Sequence, residues 1–303
     1  MGVIDTDRDW CAIADAFPYF GVITEERYKN PSAEDLKEFF ATGQNEIAAF
    51  LARSERIFGP FEPKSALDFG CGVGRLLIPL AKLAGNATGV DVSDKMLSLA
   101  RKHAKDAGVS VTLTKSIPAD QTFDWVNSHV VLQHISPRRG YSIIHDLWDA
   151  LAPGGLLVLH ITTFRDKAHL GDLLGNDSIV GYDGERAINY SKVDDQIRGI
   201  LMYDYDLSHV FANMPMANGC PLYLEKVDHA GHHGFRIYVR KRPPVAQNRA
   251  VAFDPTVIED APKNTSDSAI RTIAAKVGTR VGLLRRGADL IRQALSLSFL
   301  FRK

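Results

Sequence analysis

Cysteine and long apolar runs are both scarce in this chain of 303 residues. The three cysteines, Cys11, Cys71 and Cys220, lie far apart without metal-ligand spacing, so neither a disulfide framework nor a metal site is expected. No stretch approaches the roughly 18 uninterrupted apolar residues of a membrane span, and the N-terminus lacks a basic segment followed by an apolar run. These absences predict a cytoplasmic protein.

The formal net charge is zero, because 36 Lys and Arg residues balance 36 Asp and Glu residues. The balance is uneven along the chain. Residues 269–303 hold eight basic side chains and one acidic side chain, Asp289, so residues 1–268 carry a net negative charge. A nucleic-acid-binding domain needs a basic face. The acidic larger part therefore predicts no nucleic-acid partner.

The glycine spacing of nicotinamide-binding turns, Gly-x-Gly-x-x-Gly, is missing as well. Residues 65–75 instead contain Asp-x-Gly-x-Gly-x-Gly, which begins at Asp68. Residues 66–69 suit a buried parallel strand, and the glycines permit a tight turn and a close approach to a ligand. Because residues 76–83 favour a helix, the stretch predicts a strand, a glycine turn and a helix start.

A second predicted strand, residues 87–90, ends in Asp91, whose carboxylate can accept hydrogen bonds from both hydroxyls of a ribose. Residues 67–75, 89–93 and 151–155 resemble three ordered motifs of class I S-adenosylmethionine-dependent methyltransferases of the small-molecule type. The alternative is a doubly wound domain that binds no nucleotide and uses the glycines for an ordinary tight turn.

The resemblance implies an α/β fold with a doubly wound, seven-stranded, mostly parallel sheet of Rossmann-like type over residues 60–243. An N-terminal helical cap is expected at residues 1–59. Residues 163–203 are polar and too long for an ordinary connection, which predicts a lid-like insertion. Residues 244–268 predict a flexible linker, and residues 269–303 predict a basic amphipathic helix, since their apolar residues recur at steps of three and four.

The resemblance also implies S-adenosyl-L-methionine as the cofactor. In the family, the glycine turn passes under the methionine part of the cofactor, and the acidic residue that ends strand two binds the ribose. The end of strand three departs from the family pattern, because Lys115, Ser116 and Ile117 stand where an acidic residue commonly reads the adenine amino group. Backbone contacts are expected there instead. The cofactor-binding residues carried over are Asp68, Gly70, Cys71, Gly72, Gly74, Asp91, Val92, Met96, Ser116, Ile117 and His129.

Three histidines fall where strands four and five deliver side chains to the carboxyl edge of the predicted sheet: His129, His134 and His160. With an unperturbed pKa of about 6.5, histidine suits general-base catalysis near neutrality. His134 is the preferred base, because in the pattern Val-Leu-Gln-His-Ile it matches a position where several small-molecule methyltransferases carry a histidine that faces the acceptor. The alternative for each of the three is a structural histidine held by hydrogen bonds.

A further group of histidines lies in residues 228–234, at the turn of a predicted hairpin. Two glycines provide the bend, and His232 and His233 would face opposite ways. The pattern therefore favours a solvated turn over a metal site.

The residues after strand four exclude two acceptor classes. Residues 127–130, Asn-Ser-His-Val, stand where DNA adenine and protein glutamine methyltransferases carry Asn/Asp-Pro-Pro-Tyr/Phe, and no Pro-Cys nucleophile of cytosine type is present. The predicted function is methylation of a small polar acceptor, with O-methylation of a sugar or of a glycolipid or polysaccharide precursor preferred. The alternatives are N-methylation of a small amine or aminosugar, and a catalytically silent cofactor-binding partner module.

The N-terminal cap is predicted as helices at residues 7–17, 32–40 and 46–58, with Gly43 interrupting the last two. Its aromatic side chains either close the active site or simply pack in the core. They are Tyr19, Tyr28, Phe39 and Phe40.

The basic C-terminal stretch, residues 269–303, combines an apolar stripe with cationic flanks. That pattern is typical of a helix that lies in an anionic membrane surface, which predicts peripheral contact at the inner face of the membrane. The alternatives are packing on the catalytic domain or on a second copy, and a disordered tail.

Overall fold

The computed structural model describes residues 6–166, 202–215, 219–229 and 231–243, and the backbone alone of two short strands at 178–182 and 187–191. The predicted linker (244–268) and basic helix (269–303) lie outside the described residues, as does much of the predicted insertion.

A seven-stranded sheet forms the centre of the fold, with the strand order β3-β2-β1-β4-β5-β9-β8. Strands β1 to β5 are parallel, whereas β9 runs antiparallel to both β5 and β8. The predicted seven-stranded, mostly parallel sheet is thereby confirmed. The strands of this sheet are β1 (Ala66–Phe69), β2 (Ala87–Val90), β3 (Val111–Thr114), β4 (Phe123–Ser128), β5 (Leu151–Arg165), β8 (Leu222–His229) and β9 (His232–Arg240).

Helices cover both faces of the sheet. One face packs against α2, α3 and α4 through Ile47, Leu77 and Leu97, and the other packs against α5 through Ile144 and Leu147. The side chains in both layers are buried, as a doubly wound sheet requires. The helices are α1 (Thr6–Ala16), α2 (Ala33–Phe58), α3 (Leu77–Ala84), α4 (Asp94–Asp106), α5 (Pro137–Asp149) and α6 (Leu207–Ala212).

The order of the strands reverses beside β1, which has β2 on one side and β4 on the other. The chain leaves β1 toward one half of the sheet and later enters β4 in the other half. A crevice therefore opens at the carboxyl ends of these strands, where open α/β sheets bind their ligands.

The predicted break at Gly43 is wrong, because α2 runs through it without interruption for 26 residues. A glycine inside a helix costs only about 1 kcal/mol relative to alanine, which the rest of α2 tolerates. A Cβ at Gly43 would overlap the carbonyl oxygen of Arg75, so glycine here allows α2 to pack closely against the end of the glycine turn. At its start, Ser32 and Asp35 form a capping box, as their spacing of three residues indicates.

Two further element boundaries differ from the sequence prediction. Strand β5 continues to Arg165, four residues beyond the apolar run at residues 156–161 that predicts this strand, because the long strand β9 pairs with it along this extension. Within the predicted insertion, β6 (Ser178–Tyr182) and β7 (Ala187–Ser191) pair as a separate antiparallel hairpin. Across the described residues, no helix combines the length and the apolar character that crossing a membrane requires.

Candidate active site

The glycine turn after β1 is held against β2 by the backbone. The amides of Gly70 and Cys71 both donate to the carbonyl of Val90, at 2.8 and 3.0 Å. Gly70 and Gly72 have positive φ angles of 75° and 52°, and a Cβ at Gly70 would overlap the side chain of Val131. The turn therefore requires glycine both for its backbone conformation and for close contact with the residues after β4.

Asp91 at the end of β2 is fixed to this turn. Its Oδ2 accepts a hydrogen bond from the amide of Gly72, and its Oδ1 accepts one from the amide of Ser93, both at 2.9 Å. Burial raises the pKa of Asp91 despite these two hydrogen bonds. Each carboxylate oxygen has a second lone pair, so the group retains capacity to accept hydrogen bonds from a ligand.

Asp68 and Asn127 meet at the ends of the neighbouring strands β1 and β4. The side-chain amide of Asn127 donates to Oδ1 of Asp68 at 2.7 Å, and both side chains are buried. Burial raises the pKa of Asp68 to about 7, although the hydrogen bond from Asn127 and the charge of Arg75 act in the opposite direction. The site thus contains a carboxyl that titrates near neutrality.

One cavity of about 1520 Å³ opens along the carboxyl edge of the sheet. Gly74 is not among its lining residues; its φ of 92° and its hydrogen bond to the carbonyl of Cys71 serve the turn instead. The thiol of Cys71 is buried, which raises its pKa well above the ordinary value, so this residue offers backbone to a ligand rather than a thiolate. The other predicted cofactor residues line the cavity together: Asp68, Gly70, Cys71, Gly72, Asp91, Val92, Met96, Ser116, Ile117 and His129.

His134 lies on the same cavity, at the end of a 3-10 turn spanning Leu132–His134. The side-chain amide nitrogen of Gln133 is 3.2 Å from Nε2 of His134, and the ring edge packs against Trp10 at 4.7 Å between centroids. Two neighbours therefore restrict the orientation of the imidazole on the cavity wall.

His129 is buried at the end of β4 and also borders the cavity. Its Nε2 lies 3.6 Å from Oε2 of Glu46, and the same Glu46 oxygen lies 2.9 Å from Nη1 of Arg75. Burial alone would raise the pKa of Glu46, but His129 and Arg75 outweigh it and hold that pKa at about 2. Burial lowers the pKa of His129, against the opposing effect of Glu46.

The third histidine, His160, is only 2% exposed and is not among the described residues that line the cavity. Its ring lies behind that of His129, at 5.3 Å between centroids. Burial lowers the pKa of His160 well below its ordinary value. Since it meets neither the cavity nor an acceptor, the geometry gives no support to His160 as a base.

The histidine-rich turn between β8 and β9 contributes to the far wall of the cavity through His229 and His232. The Nε2 atom of His233 instead lies 2.7 Å from Oδ1 of Asp166, where the imidazole donates a hydrogen bond to the carboxylate. The His233 ring also stacks on the ring of Phe164. In the portions of the chain that the structure describes, no three His, Cys, Asp or Glu side chains are arranged as metal ligands.

Sequence reasoning missed several residues of the site. The buried Arg75 and the half-buried Glu46 form an ion pair on the cavity wall, while Trp10, Phe17 and Phe20 form its aromatic part. Of the predicted aromatics, Tyr28 and Phe39 are buried in a core cluster with Met96 rather than on the described cavity wall. Arg75 directly follows the glycine turn and could have been found by position; Glu46 carries no local signal. Tyr19 and Phe40 also pack in this cluster without lining the cavity within the described residues.

Comparisons with known proteins agree with this geometry. Residues 66–155 match the family model described as a methyltransferase domain. The "Ubiquinone biosynthesis O-methyltransferase" of Paramagnetospirillum magneticum is 31% identical over 140 residues, which cover 45% of this chain and 55% of that protein. The protein of the same name from Rhizobium etli is 34% identical over 155 residues, which cover 50% of this chain and 62% of that protein. The chain thus spans less than two thirds of the length of these relatives.

Solved structures show the same fold. The magnesium protoporphyrin IX methyltransferase (ChlM) from Synechocystis PCC 6803, crystallised with bound SAH, superposes with a TM-score of 0.51 at 20% identity, covering 76% of this chain and 99% of that chain. The PH0226 protein from Pyrococcus horikoshii gives a TM-score of 0.50 at 19% identity, with the same coverage. The match of residues 66–155 to a methyltransferase domain confirms the predicted resemblance to class I S-adenosylmethionine-dependent methyltransferases over that range, and the sheet order and the solved structures show the same fold.

Proposed function

We propose that this chain transfers a methyl group from S-adenosyl-L-methionine to a hydroxyl of a small acceptor. The observation that carries the proposal is that the residues expected to hold the cofactor and the candidate base His134 line one continuous cavity. At about 1520 Å³ it is larger than the roughly 300–1,000 Å³ of a typical ligand pocket, which leaves room for a cofactor and an acceptor together.

The residues present fit the cofactor. Asp91 would accept hydrogen bonds from the ribose hydroxyls, while Val92, Met96 and Ile117 would flank the adenine. The methionine part would lie on the backbone of the glycine turn, where a Cβ at Gly70 has no space. When bound, the cofactor supplies an electrophilic methyl group on a sulfonium.

Two buried side chains carry charges that complement the ends of the methionine part. Arg75 is buried and lines the cavity, so its guanidinium is suited to an anionic carboxylate, and its bond to Glu46 fixes its position. Asp68 lies across the turn from it and, when ionised, suits a cationic amine. The pair would therefore orient the cofactor along the cavity rather than across it.

His134 would accept the proton of the acceptor hydroxyl as its oxygen becomes a nucleophile. The neighbours that restrict its ring, Gln133 and Trp10, keep it on the cavity wall. Beyond this proton transfer the reaction is an in-line displacement, which depends chiefly on alignment of the two reactants. Phe17, Phe20 and Trp10 supply apolar surface that would exclude water from that alignment.

Oxygen as the acceptor atom is supported by the relatives from P. magneticum and R. etli, because both are named as O-methyltransferases. A sugar or a glycolipid or polysaccharide precursor is the finer proposal, and it rests on the polar composition of residues 163–203. To test the acceptor class, the protein is incubated with the cofactor and with panels of nucleotide sugars, glycolipid precursors, aromatic hydroxyl compounds and small amines. Mass detection of one added methylene identifies the methylated product. Product formation only with amines would favour N-methylation, and folded protein that binds SAH but methylates nothing would favour the silent module.

Peripheral membrane contact through residues 269–303 belongs to the same proposal and rests on sequence alone. Eight basic side chains flank an apolar stripe there. Each basic residue near an anionic surface contributes about 1 kcal/mol, so several together would bind reversibly.

A further inference from the structure

The turn that carries His134 is held by a segment some seventy residues later in the chain. The phenol of Tyr205 donates to the carbonyls of Leu132 and Ile135, at 2.9 and 2.7 Å. The amide of Tyr203 donates to the carbonyl of Gln133 at 2.7 Å. Three carbonyls on and beside one short turn are therefore bound by residues 203–205.

The hydroxyl of Tyr205 is well suited to this task. The side chain is only 1% exposed, and burial raises the pKa of its phenol, so the group stays protonated and donates at all accessible pH values. The carbonyl of Leu132 also accepts from the amide of Ile135 within the turn, at 2.9 Å, so the phenol is a second donor to that oxygen. The phenol therefore ties Leu132, at the start of the turn, to Ile135, the residue that follows it.

Other residues keep Tyr205 in place. Its amide donates to the carbonyl of Thr162 at 2.8 Å, and the hydroxyl of Thr162 donates to the carbonyl of Tyr203 at 2.7 Å, which fastens the segment to the end of β5. On the other side, a Cβ at Gly140 would overlap the phenol oxygen. Glycine in the first turns of α5 thus leaves the space that the phenol occupies.

We propose that Tyr205 is a positioning residue for His134: its buried hydroxyl fixes the turn so that the imidazole faces the acceptor. The inference rests on the proposed function for its catalytic consequence, although the positioning itself can be measured without turnover. It connects the chain after the insertion to the reaction, because residues 203–205 reach the active-site turn from the far side of that insertion.

The test compares Tyr205→Phe with Tyr141→Phe, in protein labelled selectively at histidine. Tyr141 supplies a neighbouring buried hydroxyl as the control: its ring contacts the edge or face of the Tyr205 ring, and its oxygen accepts from the amide of Asp206. In NMR spectra assigned with His134→Gln, Tyr205→Phe should shift the ring signals and the titration midpoint of His134, whereas Tyr141→Phe should leave both in place. In Gly140→Ala, the added Cβ would displace the phenol from the side of α5, so the His134 ring signals should shift there as well. Agreement between the two variants guards against a folding artefact in one of them. Unchanged His134 signals in folded Tyr205→Phe would overturn the inference.

Turnover gives the second readout. Tyr205→Phe should lower kcat on the order of tenfold to a hundredfold, as expected for a misplaced catalytic group, with the Kd for SAH unchanged. In a His134→Ala background, Tyr205→Phe should cause no further loss of kcat. A full additional loss in that background, or an unchanged kcat in the single variant, would refute the positioning role. If instead His134→Ala alone retains turnover while the ring signals still respond to Tyr205→Phe, the proposed base fails and the positioning contact stands.

Discussion

The side-chain amide of Asn127 donates a 2.7 Å hydrogen bond to the buried carboxyl of Asp68, and this contact joins the ends of β1 and β4 at the point where the sheet reverses its order. A neutral amide satisfies one oxygen of the carboxyl without compensating its charge. Burial therefore dominates, and the pKa of Asp68 rises to about 7. The proposed binding site for the methionine part contains a group whose charge changes near neutrality.

Cofactor binding should consequently depend on pH through Asp68. A carboxyl with a pKa of about 7 is mostly protonated at pH 6 and mostly ionised at pH 8, and a cationic amine binds the ionised form. Because only about a tenth of the carboxyl is ionised one pH unit below its pKa, SAH should bind about tenfold more weakly at pH 6 than at pH 8. Calorimetric titration at both values measures this. Asp68→Asn should bind with little dependence on pH, and a wild-type Kd that is equal at pH 6 and 8 would contradict the assignment.

Asp91→Ala should weaken SAH binding strongly. Each hydrogen bond to a charged group is worth about 1.5–3 kcal/mol, so the loss of the ribose contacts should raise the Kd by at least about tenfold. The substitution also removes the acceptor for the amides of Gly72 and Ser93, which loosens the turn. Asp94→Ala, three residues along and paired on the surface with Lys115, is the matched control and should bind normally. Equal affinity of the two variants would remove Asp91 from the site.

His134→Ala should lower turnover by about 100-fold if the acceptor is a hydroxyl, because general-base catalysis contributes about 10²–10⁴-fold. Affinity for SAH should not change, since the imidazole is assigned to the acceptor and not to the cofactor. His145→Ala provides a control in α5, where the side chain is exposed and outside the described cavity wall. Single-turnover measurements with the acceptor found by screening separate the chemical step from binding. Retained turnover would indicate an amine acceptor or a different base.

The sequence was sufficient for the parts of the fold that local pattern determines. The strand, glycine turn and helix around Asp68 and the strand that ends before Asp91 all follow from short stretches, and the structure has them. These segments carry their own signals because apolar runs, glycines and caps act over a few residues.

Features that depend on distant partners could not be predicted in this way. Gly43 was interpreted as a helix break, whereas its role is set by the carbonyl of Arg75. Glu46 has no local motif, since its partners are Arg75 and His129. His160 resembles an active-site residue by its position in β5, but the packing of neighbouring strands buries it.

The basic C-terminal stretch leads to a prediction about membranes. The 303-residue chain should float with vesicles that contain anionic lipid and should be released by salt, because Debye screening weakens the attraction of exposed charges. A chain ending at Asp267 should remain in the soluble fraction, and neutral vesicles should recover little of either protein. Flotation centrifugation compares all four combinations. Equal recovery of the two chains on anionic vesicles would exclude membrane contact through residues 269–303.

Val130, directly after β4 and on the cavity wall, has a left-handed backbone with a φ of 59°. For a β-branched residue this conformation is strained, by about 1–2 kcal/mol for an L-residue, and such strain tends to persist where a site needs it. Here it turns the chain sharply between His129 and Val131, which both border the cavity, and Val131 also packs on Gly70. Val130→Gly should relieve the strain, and after the larger entropy loss of glycine on folding, roughly 0.5–1 kcal/mol, the free energy of unfolding should rise by up to about 1.5 kcal/mol. Turnover should fall in the same variant, because the turn would no longer hold His129 and Val131 in one arrangement.

Val130→Ala keeps a Cβ and with it most of the strain, which makes it the matched control. Urea unfolding of the wild type, Val130→Gly and Val130→Ala measures the three free energies of unfolding. If Val130→Gly were less stable than Val130→Ala by the usual helix or strand penalty, the left-handed conformation at residue 130 would not exist in solution.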